Sequence, residues 1–188
     1  MSPLPQLQPT LWRTCRTIAN RTRLRIPGLL FAQPGQSVSL VATHLKQPLS
    51  LISEYLRMLE SRGLLEARRV GRRVTYRPGP STGDGPSPRL VAALRLAITR
   101  EPRSIECAYR AATAFTHPRR IEIFRALLTQ PQTLEQIQIS TRIPVRSLLR
   151  HLSKLEARGF VASEMGIYTT TLPADAFGRT LALLTGEQ

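Results

Sequence analysis

Acidic side chains are scarce: 12 Asp and Glu stand against 27 Lys and Arg, so the 188-residue chain carries a formal charge of +15. The acids that exist sit singly. There is no nucleophile–base pairing, no glycine-rich phosphate loop and no metal-ligand spacing, which argues against an enzyme and against a cofactor or metal. The three histidines, His44, His117 and His151, are far apart in the chain. Of these, His44 is expected to be a solvated helix residue, His117 a helix-start residue and His151 to face either DNA or the core. Two cysteines, Cys15 and Cys107, belong to no CxxC pair and cannot build a disulfide framework, so both are expected to be small buried hydrophobes. No apolar run approaches the length that crosses a bilayer, and the start Met1-Ser-Pro-Leu lacks a basic region followed by an apolar core. The expectation is a cytoplasmic, nucleoid-associated protein with no membrane partner.

Lysine is also rare, with only Lys46 and Lys154, so nearly all the positive charge is arginine. Its planar fork matches phosphates and guanine edges, and an excess of this size points to a polyanion.

The chain repeats itself. At an offset of 97, Trp12-Arg13 aligns with Tyr109-Arg110 and Arg23-Leu24 with Arg120-Ile121; at 96, Leu59-Glu60-Ser61-Arg62-Gly63-Leu64 aligns with Leu155-Glu156-Ala157-Arg158-Gly159-Phe160. The offset changes between Phe31 and Ser39, where a turn can lose a residue. Two copies, each long enough for its own small core, predict two domains: 1–100, with a flexible Pro/Gly/Ser loop over 78–88, and 101–188, with the boundary near Glu101-Pro102-Arg103.

In the first copy the pattern predicts helices over Leu11–Ile18, Thr22–Phe31 and Ser37–Leu45. A turn at Gln47-Pro48 leads to a helix with Leu49, Ile52, Leu56 and Leu59 inward, ending at Gly63. Its polar face carries Ser50, Ser53, Glu54, Tyr55 and Arg57. The run Leu65–Tyr76 alternates around Gly71 as a β-hairpin tipped by Arg68, Arg69, Arg72 and Arg73. A further helix is expected over Leu90–Arg100. The second copy has the same order: Ile105–Phe115, Arg119–Leu128, Leu134–Ser140 and Pro144–Arg158, then a hairpin over Val161–Leu172 turning at Gly166 and a last helix over Ala174–Leu184. Arg142, Arg146, Ser147, Arg150, His151 and Lys154 lie on or beside the polar face of its main helix. Trp12 and Tyr109 are assigned to packing.

Ser53-Glu54-Tyr55-Leu56 with Leu59 and Gly63, and Leu149-Arg150-His151-Leu152 with Leu155 and Gly159, resemble the recognition-helix motif S-x-H-L-x-x-L-x-x-x-G of the ArsR family of bacterial winged helix-turn-helix regulators. The resemblance spans roughly residues 9–100 and 105–185. It implies a mainly α fold with small β-hairpin wings, here as two tandem winged helix-turn-helix domains, and a sequence-specific repressor of double-stranded DNA. In that family a symmetric homodimer, held by its first and last helices, sets two recognition helices roughly 34 Å apart. One chain holding both halves would then be an intramolecular pseudo-dimer. The metal-sensing cysteines common in the family are absent from the corresponding stretch Leu40-Val41-Ala42-Thr43-His44.

Glu54, Tyr55 and Leu149 depart from the motif, and the copies differ in charge. Residues 1–100 carry 16 basic and 4 acidic side chains, a net of +12, whereas residues 101–188 carry 11 and 8, a net of +3. The second wing reads Glu164-Met165-Gly166-Ile167, which leaves an alternative open: a tandem winged-helix scaffold whose partner is a protein of chromosome organisation or transcription initiation.

Overall fold

A computed structural model describes residues 10–82, 86–100 and 104–187, so the expected boundary at residues 101–103 lies outside the described residues. The first copy runs α1 (Leu11–Ile18), α2 (Arg21–Ala32), β1 (Gln36–Ser37), α3 (Val38–Leu45), α4 (Leu49–Glu60), β2 (Leu65–Val70), β3 (Arg73–Pro78) and α5 (Pro86–Arg100). The second repeats that order as α6 (Ser104–Ala114), α7 (Pro118–Thr129), β4 (Gln132–Thr133), α8 (Leu134–Thr141), α9 (Val145–Glu156), β5 (Val161–Glu164), β6 (Ile167–Thr170) and α10 (Ala176–Gly186). The described residues are thus mainly helical, with two small antiparallel three-stranded sheets.

Local chemistry starts and stops these elements where the sequence suggests. Ser37 Oγ accepts from the Leu40 N–H, Asn20 Oδ1 from Arg23, and Asp175 Oδ1 from Gly178. Thr133 and Gln136 form a reciprocal capping box at the start of α8. The turns after α3 and α8 each place a non-glycine residue in the left-handed region, Lys46 (φ 51°) and Arg142 (φ 53°). The chain then enters α4 and α9 through Pro48 and Pro144, which are preset for a helix start. After α4, Gly63 (φ 68°) lets the Leu64 N–H reach back to the Leu59 carbonyl and stop the helix before the hairpin.

Two features differ from the sequence reading. The stretch expected to be a loop over 78–88 is shorter, because Pro78 ends β3 and α5 already begins at Pro86; prolines are accepted in a first helical turn, where their missing N–H has no partner to lose. The sheets also have a third strand each. Gln36 and Ser37 pair with Tyr76 and Thr75, and Gln132 and Thr133 with Tyr168 and Ile167. Two-residue strands carry no periodicity of their own.

The first hairpin has six residue pairs, from Leu65↔Pro78 to Val70↔Arg73, and the second has four, from Val161↔Thr170 to Glu164↔Ile167. The second wing is therefore two rungs shorter. Its turn, Met165-Gly166, has both residues at positive φ, as a tight two-residue hairpin turn requires.

Buried residues of both copies form one continuous apolar cluster. At its centre α6 packs against α1, α2, α5 and α10, and α5 packs along α10. The small residues Ala108, Ala111, Ala112 and Ala114 let neighbouring helices approach α6 closely, and Leu90, Val91 and Leu94 of α5 are buried with Phe177, Leu181 and Leu184 of α10. Between the copies, Arg21 grips Glu106 with two hydrogen bonds (2.7 and 2.9 Å) and lies 4.0 Å over the Tyr109 ring.

The two copies fill equivalent core positions differently. In the second, Phe115, Phe124 and Phe160 meet edge to face at centroid distances of 4.7 to 6.0 Å; the first has Ile18, Pro27 and Leu64 there. Phe160→Ala should cost about 3–5 kcal/mol through lost burial and a cavity, while Met165→Ala, at a 96 % exposed site, should change stability by less than ~0.5 kcal/mol. Urea unfolding of the two variants against the wild type measures both.

Candidate nucleic-acid interface

Helices α4 and α9 each bury one stripe: Ile52, Leu56 and Leu59 in the first, Leu148, Leu152 and Leu155 in the second. What remains outward is decided by the 3.6-residue period. On α4, Ser50, Glu54 and Arg57 are exposed and Ser53 is half-buried, with Arg57 Nε held along the helix by the Ser53 carbonyl (3.2 Å). On α9, Arg146, Arg150 and Lys154 are exposed, Ser147 is half-buried, and Arg142 projects from the turn before the helix. Val145 and Leu149 lie among them, 39 % and 45 % exposed.

Two of the candidate contact residues do not stand on these exposed faces, and of the two sides left open for His151 the core is the one it takes. His151 is 4 % exposed, because it sits three residues after Leu148 and four before Leu155 and so falls on the inward stripe. Tyr55 holds the same position in α4; it is half-buried, with the Arg23 guanidinium 5.1 Å from its ring centre. The apolar spacing in the sequence already contained this signal.

The first hairpin extends beyond the core and carries its charge there. Arg68, Arg69, Arg72 and Arg73 are all exposed. Arg69 lies on the hairpin face that carries Ala67, Val74 and Tyr76, and approaches Glu60 at the end of α4 (3.7 Å). Nearer the base, Arg77 pairs with Glu66 directly across the ladder (2.7 Å). Arg68, Arg72 and Arg73 have no acidic partner among the described residues. Between this tip, α3 and the start of α4 runs an open groove of about 920 Å³, lined by Ser39, Leu40, Leu49, Ser50, Arg72 and Arg73 among others. The contributions of Ser39 and Leu40 escaped the sequence reading, since only the hairpin's fold back towards α3 brings them beside the arginines.

The second hairpin carries no arginine; Met165 is 96 % and Ile167 44 % exposed at its tip, beside Glu164. The copies therefore divide the positive charge, the first placing it on the wing and the second on the helix. Among the described residues, no group of three or more His, Cys, Asp or Glu side chains could hold a metal ion. Cys15 is fully buried and burial pushes its thiol well above the usual range, away from the reactive thiolate; Cys107 is half-buried, and neither is in a disulfide. Among the described residues no helix is long and apolar enough to cross a membrane. No family model, curated protein or solved structure matches the chain.

His151 stacks on His117, which begins α7 by accepting from the Arg119 N–H; the ring centres are 4.7 Å apart. The buried Nδ1 of His151 has no hydrogen-bond partner among the described residues. Burial first, then His117 and the guanidiniums of Arg120, Arg150 and Arg119, push His151 down from 6.5 to about 4. Burial and the same arginines lower His117 as well. A folded state that keeps His151 neutral binds fewer protons than the unfolded chain between pH 6.5 and about 4, so the stability it contributes is complete above that window and is lost as pH falls through it. Urea unfolding between pH 7.5 and 4 should show a steeper loss in the wild type than in His151→Leu.

Proposed function

We propose that the chain is a double-stranded DNA-binding transcriptional regulator built as two winged helix-turn-helix units in tandem. More particularly, it is a sequence-specific repressor that acts as a monomeric pseudo-dimer on an asymmetric site. The observation that carries this reading is the gathering, at two places, of exposed basic side chains with no acidic partner among the described residues: Arg68, Arg72 and Arg73 on the first wing, and Arg142, Arg146, Arg150 and Lys154 on and before α9. Like charges gathered this way repel one another in the free protein and are relieved by a polyanion. Each set lies on a helix-turn-helix with a following hairpin, the combination that puts a helix in a major groove and a wing on the backbone.

The tandem reading is supported by the way equivalent helices meet, α1 with α6 and α5 with α10. That is the pattern an isologous dimer interface gives, here within one chain. In this arrangement α4 and α9 read base edges. Arg146 and Arg150 are suited to guanine, Val145 and Leu149 to thymine methyl groups, and the first wing takes phosphates.

One observation favours the scaffold alternative. The apolar tip at Met165 and Ile167 makes a poor phosphate contact and a better protein contact. The +12 charge of the first half weighs towards DNA.

Fluorescence anisotropy with duplex fragments of the source genome separates the two. With ~6 phosphates neutralised, log affinity should fall against log salt with a slope of about −5, and the pair Arg72→Glu and Arg73→Glu should weaken binding at least about tenfold and flatten the slope by about 2. Binding that ignores both salt and these substitutions would sink the DNA reading.

A further inference from the structure

At the C-terminal end of α4, on the side facing α1 and α2, lies a second basic feature. A hollow of about 320 Å³ is walled by Trp12, Arg13, Arg16, Thr17, Arg23, Met58 and Arg62, with the Thr17 hydroxyl donating to the Arg13 carbonyl (3.0 Å). Four guanidiniums line it and no carboxylate does. Arg23 and Arg62 are half-buried, and among the described residues the buried Nε of each has no hydrogen-bond partner, while Arg23 Nη1 donates to Met58 Sδ (3.2 Å). A buried donor atom left unsatisfied costs free energy, and such a group calls for an explanation.

The second copy shows how the same framework looks when it is closed. Arg120 and Arg158 are the counterparts of Arg23 and Arg62. Arg158 Nε donates to Thr113 Oγ1 (2.7 Å), while Arg120 donates to the Ala114 and Thr113 carbonyls and to Thr116 Oγ1. Arg110, the counterpart of Arg13, donates to the Ala157 carbonyl (3.3 Å). The acceptor Thr113 corresponds to Arg16 in the first copy, so a residue that only donates stands where the second copy has an acceptor. The first copy therefore lacks the hydroxyl that holds Arg158 in the second, and has a fourth positive charge in its place.

The remaining walls define the rest of the ligand. The Trp12 indole, with the Arg13 guanidinium 5.1 Å from its ring centre, and Met58 offer flat apolar contact. The volume is at the lower end of small-molecule sites. We infer that this hollow binds a small organic oxyanion, a carboxylate or phosphate carried on a planar ring, with Arg16, Arg23 and Arg62 on the anionic head and Trp12 against the ring. Met58 of the hollow lies about two turns along α4 from Ser50, and the hollow and the wing groove share no lining residue; the inference stands whether or not the chain binds DNA.

Trp12 is the single tryptophan of the chain, so its fluorescence reports the hollow directly. The full chain is titrated with phenyl phosphate, benzoate and inorganic phosphate in separate arms, with chloride holding ionic strength constant. The expected result is a saturable change with phenyl phosphate or benzoate, tighter than with inorganic phosphate. Binding should weaken at least tenfold in the Arg23→Gln, Arg62→Gln double variant. Because that pair could disturb folding, Arg16→Thr, a change at an exposed residue that restores the acceptor of the second copy, should weaken binding as well with an unaltered circular dichroism spectrum. A linear response no different from that to chloride, or saturation untouched by Arg16→Thr, would overturn the inference. So would a short DNA duplex that reproduces the Trp12 change and displaces phenyl phosphate, because the hollow would then be a backbone-phosphate contact.

Discussion

The apolar seam around α6, where helices of the two copies pack on one another, is the contact on which the rest of the molecule depends. Among the described residues each copy contributes five helices and a small three-stranded sheet, too little to bury its outer helices alone. Setting α5 along α10, and α1 and α2 against α6, gives those apolar faces a partner, and the cores merge into one. Because both partners lie on one chain, this burial does not depend on protein concentration, as it would for a dimer of separate chains. The ion pair between Arg21 and Glu106 sits at the edge of the seam, exposed at both ends, and contributes registry more than energy.

That seam frees the outer surfaces to diverge. Two identical chains in a symmetric dimer must carry the same wing and the same helix, whereas a fused pair need not. The first copy has the longer, arginine-tipped hairpin and a helix face on which Glu54 is balanced by Arg57; the second has a short apolar hairpin and a helix face with Arg146, Arg150 and Lys154. The cores diverge in the same way, three phenylalanines in one against Ile18, Pro27 and Leu64 in the other. Even the inner arginines differ, Arg120 and Arg158 held by neighbouring oxygens and Arg23 and Arg62 keeping a buried Nε without a partner among the described residues.

The helices and hairpins were legible because their signals are local. A stripe such as Ile52, Leu56 and Leu59, a stop at Gly63 and alternation around Gly71 each act within a few residues. His151 shows where local reading needs care, since its polar character left DNA and core both open while its spacing from Leu148 and Leu155 placed it inward. Pro86 was read as part of a loop although a first helical turn accepts proline, and β1 and β4 were invisible because two residues become a strand only when a partner such as Tyr76 or Tyr168 lies alongside.

By itself, the sequence determined the duplicated order of elements, the inward stripes and the unequal charge of the two halves, all consequences of residue spacing and composition. Tertiary structure alone decided which helices of one copy cover those of the other, that Leu40 and Ser39 share a groove with Arg72 and Arg73, and that Arg62, from beyond the end of α4, joins Arg13, Arg16 and Arg23 beside Trp12. Those juxtapositions arise from packing between segments far apart in the chain, and a periodicity read along one segment contains no term for what lies against it.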